Sequence, residues 1–260
     1  MSTRVATARG TDPPGILVDA HAHVGATPAA GWEAAAPGVA VFYNSTGMDD
    51  LSSTFEFAMS DRSLSALFAG LHPTNPHHDL NLFTGWFESH ASDVDGVGEI
   101  GLDQRIPLEG SRKEFVAQLE LASRWRKPVS VHTRGRLRDA LDDLSGFDLR
   151  VLLHWFQGSE QELEESMERG YFVSFGPPVL YSKKMERLLV ATRMDRLLLE
   201  TDSPVRYGAC FESRESWPTM IGSVYFRAAG LKEVGVRDFE RSIEENASSY
   251  LGRPFSATPR

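Results

Sequence analysis

Short apolar runs separated by longer stretches of helical periodicity recur along the chain from residue 16 onward. Eight runs stand out: ILVD (16–19), GVAVFY (38–43), ALFAGL (66–71), VDGVGEI (94–100), PVSVH (128–132), RVLLH (150–154), YFVSF (171–175) and RLLLET (196–201). Each is nearly continuous in apolar character, as a strand buried on both faces must be. The pattern therefore predicts a parallel sheet assembled from βα units.

Between the runs, apolar positions step by three and four. In 112–127, Phe115, Val116, Leu119, Ala122 and Trp125 form a stripe, and Arg124, Arg126 and Lys127 lie where the C-terminal dipole favours cations before Pro128 ends the helix. Ser159 and Glu162 make a capping box for a helix over 159–169, with Leu163 and Met167 on its buried side and Gly170 as terminator. A last helix, 236–251, carries Val236, Phe239, Ile243, Ala247 and Tyr250 on one stripe ahead of Gly252. Eight units of about 30 residues match a single (β/α)8 TIM barrel of about 250 residues. An open doubly wound sheet is the alternative that periodicity leaves standing. No composition shift or long linker divides 16–252, so one barrel domain is expected there, with a C-terminal tail at 253–260. Arg4 and Arg9 without an apolar face make 1–15 a frayed tail rather than a transit peptide.

Composition narrows the function classes. With 36 acidic against 27 basic side chains the formal net charge is −9, which excludes a protein that coats nucleic acid through unspecific positive charge. A hydrophobic share of 41%, including 15 Phe and 5 Trp, is enough for a substantial core. The longest unbroken apolar run, Val39 to Tyr43, is far short of the roughly 20 residues of a membrane span, so no membrane partner is expected. The lone Cys210 fits a reducing compartment, and a cytoplasmic location is expected. No segment points to an obligate protein partner.

Ionisable residues gather at the C-terminal ends of the predicted strands, where a barrel places its reactive groups. His21 and His23 follow the first, Glu99 ends the fourth, His132 the fifth and His154 the sixth, and Asp202 follows the eighth. Residues two apart in a strand point the same way, so His21 and His23 can both face the axis. Four imidazoles and two carboxylates exceed one tetrahedral ion but suit two cations sharing a carboxylate, for which Glu99 is central in the strand order. Other motifs carry little. GVGEIG (96–101) satisfies G-x-G-x-x-G, but LDQRIPLEG follows it, with Pro107 and Gly110 in place of a helix opening. Neither a nucleophile elbow nor a Walker loop is present, His77 and His78 read as exposed loop residues, and EQELEE (160–165) reads as a solvated helix face.

In order, DAHAHV, GLHP, GEIGLD, KPVSVHTRG, HWFQGS and ETDSP resemble the TatD family of metal-dependent hydrolases, within the amidohydrolase superfamily, over about residues 16 to 252. The resemblance implies a two-metal site and, for the best-known members, Mg²⁺-dependent deoxyribonuclease activity. By position it implies His21 and His23 as first-metal ligands, Glu99 as the bridge, His132 and His154 as second-metal ligands, and Asp202 as the aspartate of the centre. His72 resembles a site-facing histidine that contacts phosphate, and Arg134 would supply a bidentate donor to the same oxyanion. The chain departs from the family pattern around these ligands, with Val24 and Gly25 after the first motif, Gln104 after GLD, Trp155 after the sixth-strand histidine and Trp217 in the loop after ETDSP. The expected partner is a small-molecule or nucleic-acid phosphodiester, attacked by a metal-activated water with Asp202 and Glu99 as catalytic carboxylates. Zn²⁺ comes first by ligand chemistry, then Mg²⁺ or Mn²⁺. Hydrolysis of another ester, amide or lactone by the same centre, or metal binding without turnover, are the rival expectations.

Overall fold

The computed structural model describes residues 16–24, 38–75 and 79–254. The 1–15 tail, Gly25, the His77–His78 pair and all of the C-terminal tail beyond Pro254 lie outside the described residues. Eight strands form one parallel sheet in sequence order: β1 (Leu17–Ala22), β2 (Val39–Asn44), β3 (Ser65–Ala69), β4 (Gly96–Gly101), β5 (Val129–His132), β6 (Val151–Leu153), β7 (Phe172–Phe175) and β8 (Leu197–Leu199). Helices follow β2 to β7 singly: α1 (Met48–Ser60), α2 (Leu80–Ser89), α3 (Leu108–Trp125), α4 (Leu137–Leu144), α5 (Glu160–Glu168) and α6 (Lys183–Ala191). Two more, α7 (Ile221–Leu231) and α8 (Val236–Leu251), follow β8.

The strand order alone would also suit an open sheet; the ends of β1 and β8 decide against it. Asp202 N–H donates to the His21 carbonyl at 3.0 Å, and His23 N–H donates to the Ser203 carbonyl at 2.7 Å. Beneath them the buried Asp19 carboxylate accepts from the Thr201 amide (2.8 Å) and hydroxyl (2.5 Å). These bonds join the first strand to the chain leaving the last, and the result is a (β/α)8 TIM barrel. The open doubly wound alternative is excluded.

Tyr250 of α8 spans the interior. Its ring lies 5.7 Å from Phe68 on β3, 6.4 Å from Phe42 on β2 and 5.7 Å from Phe172 on β7, strands on opposite sides of the cylinder that one ring can touch together only across it. The Phe68 ring in turn lies where a side chain at Gly96, its register partner on β4, would stand. The apolar stripe of α8 thus ends inside the barrel, as a plug on the core.

The expected elements need adjustment at their ends. β1 runs on to Ala22, so His21 lies within the strand, and Glu99 sits two residues before the end of β4. The register shifts at both places, between Asp19 and Ala22 and between Val97 and Ile100, where the ladder gives way to side-chain placement. Helix α3 begins at Leu108, ahead of the expected 112, because a proline at the entry removes no amide that a first turn needs. Trp125 and Val236 are exposed at 40% and 38%; they occupy the last turn of α3 and the first of α8, where each helix leaves the sheet. The capping box of Ser159 and Glu162 is formed, and Gly170 and Gly252 adopt the left-handed conformation at φ 78° and 69°.

The Tyr250 hydroxyl is buried without a hydrogen-bond partner among the described residues, which separates its ring from its polar group energetically. Tyr250→Phe is expected to leave stability unchanged or higher, whereas Tyr250→Ala should cost about 3–5 kcal/mol by opening a cavity. Urea unfolding followed by circular dichroism reads both, and a loss of more than about 2 kcal/mol in the phenylalanine variant would contradict this account.

Candidate metal centre

Every residue of the expected ligand set reaches one place, the C-terminal mouth of the barrel, and the two oxygens of Glu99 organise them. Oε2 lies 3.4 Å from His21 Nε2 and 3.1 Å from His23 Nε2. Those two nitrogens are 3.2 Å apart and face Asp202 Oδ1 at 3.7 and 3.4 Å. Oε1 lies 2.6 Å from His154 Nε2, 2.8 Å from His132 Nδ1 and 3.3 Å from His72 Nε2. One buried carboxylate is therefore shared between two groups of donors, and the parallel His21 and His154 rings, 3.9 Å apart, stand at the seam between the groups.

Neighbouring groups determine which nitrogen each histidine presents. His23 Nδ1 is 2.8 Å from the Asn44 carbonyl oxygen, which can only accept, so Nδ1 carries a proton and Nε2 faces the site. His21 Nδ1 meets the Ser130 hydroxyl at 2.9 Å. His132 lies between two carboxylates, with Nε2 2.8 Å from Asp103 Oδ2 and Nδ1 2.8 Å from Glu99 Oε1, so a ring that donates to Asp103 presents its Nδ1 lone pair to a cation on the Glu99 side. Arg105 holds Asp103 with two bonds, Nε at 2.9 Å and Nη2 at 2.6 Å. Burial opposes ionisation of Asp103, but the bonds from Arg105 and His132 outweigh it and keep the carboxyl well below its ordinary range. His154 Nδ1 faces the buried Glu200 Oε1 at 3.8 Å, beyond hydrogen-bond reach, and neither of these two atoms has a hydrogen-bond partner among the described residues. Glu200 is fixed by the Ser174 hydroxyl at 2.5 Å.

His72 differs. Its Nδ1 accepts from the Thr74 amide (3.1 Å) and lies 2.8 Å from the Thr74 hydroxyl, so the proton of the neutral ring is on Nε2. A protonated nitrogen is a hydrogen-bond donor and not a metal ligand. His72 thus faces Glu99 as a donor, although it lies close enough to Glu99 and His132 to be counted with them on distance alone.

The charges in the cluster are unbalanced without a cation. Burial, reinforced by the His154 charge, pushes His21 down to about 3. Burial acts the same way on His23, but Asp202 and Glu99 override it and hold that imidazole well above its ordinary value. His154 is likewise held high by Glu99 and Glu200 against burial, and Glu99 is held low by the facing histidines against burial. Protons occupy places between imidazole and carboxylate where a divalent ion would bind more donors at once. The donor set fits a metal: His21, His23 and Asp202 lie close enough together to hold one ion, and His132 and His154, both on Glu99 Oε1, could hold a second with Glu99 between them.

The mouth opens into a cavity of about 1140 Å³. Arg134 lines it, exposed, and among the described residues no acidic group pairs with its side chain. Arg138 lines it too but is committed to Glu165 and Asp142. Asp103, Glu200, Ser130 and Arg105 stand behind the clustered histidines and are not singled out by their place at strand ends. Asp103 was visible in GEIGLD and Glu200 in LETD, one turn or one step from a ligand; Ser130 carried no signal. GVGEIG proves to be a packing motif. A side chain at Gly101, φ 143°, would collide with the His132 carbonyl, so the glycine lets β4 approach β5 and cradles no phosphate.

The family model described as TatD related DNase matches residues 18–252. An uncharacterized metal-dependent hydrolase of Haemophilus influenzae is 27% identical over 195 residues, 70% of this chain and 76% of that protein. The human deoxyribonuclease TATDN3 is 30% identical over 178 residues, 65% of this chain and 64% of that protein. Among solved structures, the TatD homologue YjjV of Escherichia coli superposes with a TM-score of 0.82 at 25% identity, covering 94% of this chain and 98% of that one.

Asp103→Ala removes the anchor of His132 without touching a ligand atom. Affinity for a divalent ion is expected to fall about 10- to 100-fold, the usual effect of losing such a support. Competition against a fluorescent chelator measures it; an unchanged affinity would show that Asp103 does not orient His132.

Proposed function

Because the chain belongs to the TatD-related DNase family and is a metal-dependent hydrolase, we propose that it hydrolyses a phosphodiester at a centre of two divalent ions. The observation that carries this reading is the division of Glu99, whose two oxygens face separate sets of imidazole nitrogens. One carboxylate cannot satisfy five histidines as a hydrogen-bond acceptor, but it can bridge two ions held by His21, His23, His132 and His154 while His72 donates to it. Zn²⁺ suits four imidazole ligands better than Mg²⁺, with Mn²⁺ between them.

Ions bound there would lower the pKa of a water towards neutrality and polarise the phosphoryl oxygen. The protein supplies position and proton transfer. Asp202 has φ 48°, in the left-handed region, and its amide is tied to the His21 carbonyl, so its carboxylate is held over the first donor group. From there it orients the attacking water and accepts its proton. Glu99 fixes the separation of the two donor groups. His72, with its proton on Nε2, donates to a phosphoryl oxygen, and Arg134 offers two parallel N–H donors to the same group or to the next phosphate. A phosphodiester uses all of these donors; a neutral carboxylic ester would leave Arg134 without a role.

With the metal-loaded protein, DNA oligonucleotides and simple phosphodiesters are expected to be cleaved faster than carboxylic esters or lactones. Asp202→Asn and Glu99→Gln should each lower kcat by about 10² or more, as loss of a positioned acid–base or electrostatic group does. Arg134→Ala should act chiefly on KM. Preferential turnover of esters or lactones, with phosphodiesters inert, would overturn the substrate class and leave the metal centre standing. Stoichiometric metal with no turnover of any of them would overturn hydrolysis at this centre.

A further inference from the structure

Immediately after the ligand His154 stands Trp155, a bulky residue at φ 41°. A side chain of this size in the left-handed region is strained and persists only where its surroundings hold it. Two bonds from β7 hold it here: the Ser174 hydroxyl receives the Trp155 amide at 3.3 Å, and the Ser174 carbonyl receives the Phe156 amide at 3.0 Å. The indole is half-buried and lines the cavity beside His154 and Asp202.

Behind it is a wall built by the loop after β8. Tyr207 lies 5.5 Å from the indole, ring to ring, is 3% exposed and does not line the cavity, so Trp155 stands between it and the open space. The Tyr207 hydroxyl donates to the Thr201 carbonyl at 2.8 Å, and Phe211 packs on its ring at 6.0 Å. The loop is a small hairpin, closed by Ser216 N–H to the Val205 carbonyl and Ser213 N–H to the Tyr207 carbonyl, both at 2.9 Å, and by the Arg206–Glu215 ion pair at 2.7 Å. An aromatic face is thus rigidly backed, held against local strain and placed one residue from a metal ligand. Packing alone does not require it there, since Tyr207 and Phe211 already pack together without it.

We propose that Trp155 is the specificity-determining residue of this centre: its indole stacks on a planar aromatic group that the substrate carries next to the scissile bond. This rests on the phosphodiesterase reading above and goes beyond it. The recognised chemistry is a flat π system on a phosphate, from a nucleobase or from an aryl ester group. Aromatic stacking tolerates any base, because each has a π face. It fits Arg134 in the same cavity, which takes the phosphate while the indole takes the ring.

The test compares a dinucleoside monophosphate, its abasic counterpart, a diaryl phosphodiester and a dialkyl phosphodiester on the metal-loaded wild type, Trp155→Ala and Trp155→Phe, with thermal melting to confirm folding. In Trp155→Ala the rise in KM should be at least about tenfold larger for the dinucleotide than for its abasic counterpart, and Trp155→Phe should recover most of the difference. A parallel difference between diaryl and dialkyl esters would extend the site to aryl groups; its absence would restrict the site to nucleobases. Calorimetry supplies a readout without turnover: wild type should bind a nucleoside monophosphate more tightly than ribose 5-phosphate, and Trp155→Ala should not. Equal losses on ring-bearing and ring-free substrates, or a fall in kcat alone, would show that Trp155 merely supports His154 and would overturn the proposal. If wild type turns over no phosphodiester, the function reading fails while the calorimetric comparison still decides for or against stacking.

Discussion

A single buried carboxylate, Glu99, faces imidazole nitrogens on both of its oxygens, and the mouth of the barrel is arranged around that conflict. Burying an anion is costly unless positive charge accompanies it. In the chain alone, protons on His23 and His154 supply that charge, with both imidazoles held above their ordinary range. The same lone pairs, relieved of those protons, are the donors that the proposed pair of cations would use, with Glu99 common to both. Metal affinity and the stability of the mouth are therefore two expressions of one charge balance.

The ligands hold their orientation because a second layer holds them, and that layer ties the site to the closure of the barrel. Asp103, Ser130, the Asn44 carbonyl and Glu200 each stand behind a different histidine, and they come from the segment just past β4, from β5, from β2 and from the residue after β8. Asp19 grips Thr201 from below while Asp202 and Ser203 bond to β1 above. The segment that completes the cylinder is thus the segment that carries Asp202 to the mouth. Loosening the β1–β8 junction would move Asp202 relative to Glu99 without altering any ligand, and this couples fold and chemistry more tightly than strand order alone suggests.

The barrel and the side chains that converge at its mouth are legible in the chain for a simple reason. Strands buried on both faces must be apolar throughout, so a histidine or glutamate at the end of such a run, as at His132, His154 or Glu99, stands out against its background. The supporting layer does not stand out. Ser130 lies inside VSVH as a small polar residue of the kind any strand tolerates, and its value arises only when β5 is placed beside β1. Asp103 and Glu200 belonged to quoted motifs, but their partners are 29 and 46 residues away, distances that only the closed sheet shortens. Helix ends were misjudged where local breakers do not break: Pro107 and Gly110 sit in a first turn that requires neither an amide nor a side chain. The tautomer of His72 depends on Thr74, two residues on, and needed the turn geometry to be seen.

Net charge and local charge pull in different directions, and their separation shapes how this hydrolase meets an anion. At −9 overall the surface repels a polyanion at long range, so counterion release along an extended track cannot drive binding. Inside the mouth acidic and basic side chains stand together, but Arg134 is without an acidic partner among the described residues, and bound cations would add positive charge beside it. For the proposed phosphodiester, attraction confined within about one Debye length of the metal site would favour a short reach of substrate, one phosphate and its neighbours, over a long duplex held by its backbone. The indole of Trp155, uncharged and indifferent to salt, contributes where electrostatics are weakest, and a substrate that carries both a phosphate and a ring satisfies both walls of the cavity at once.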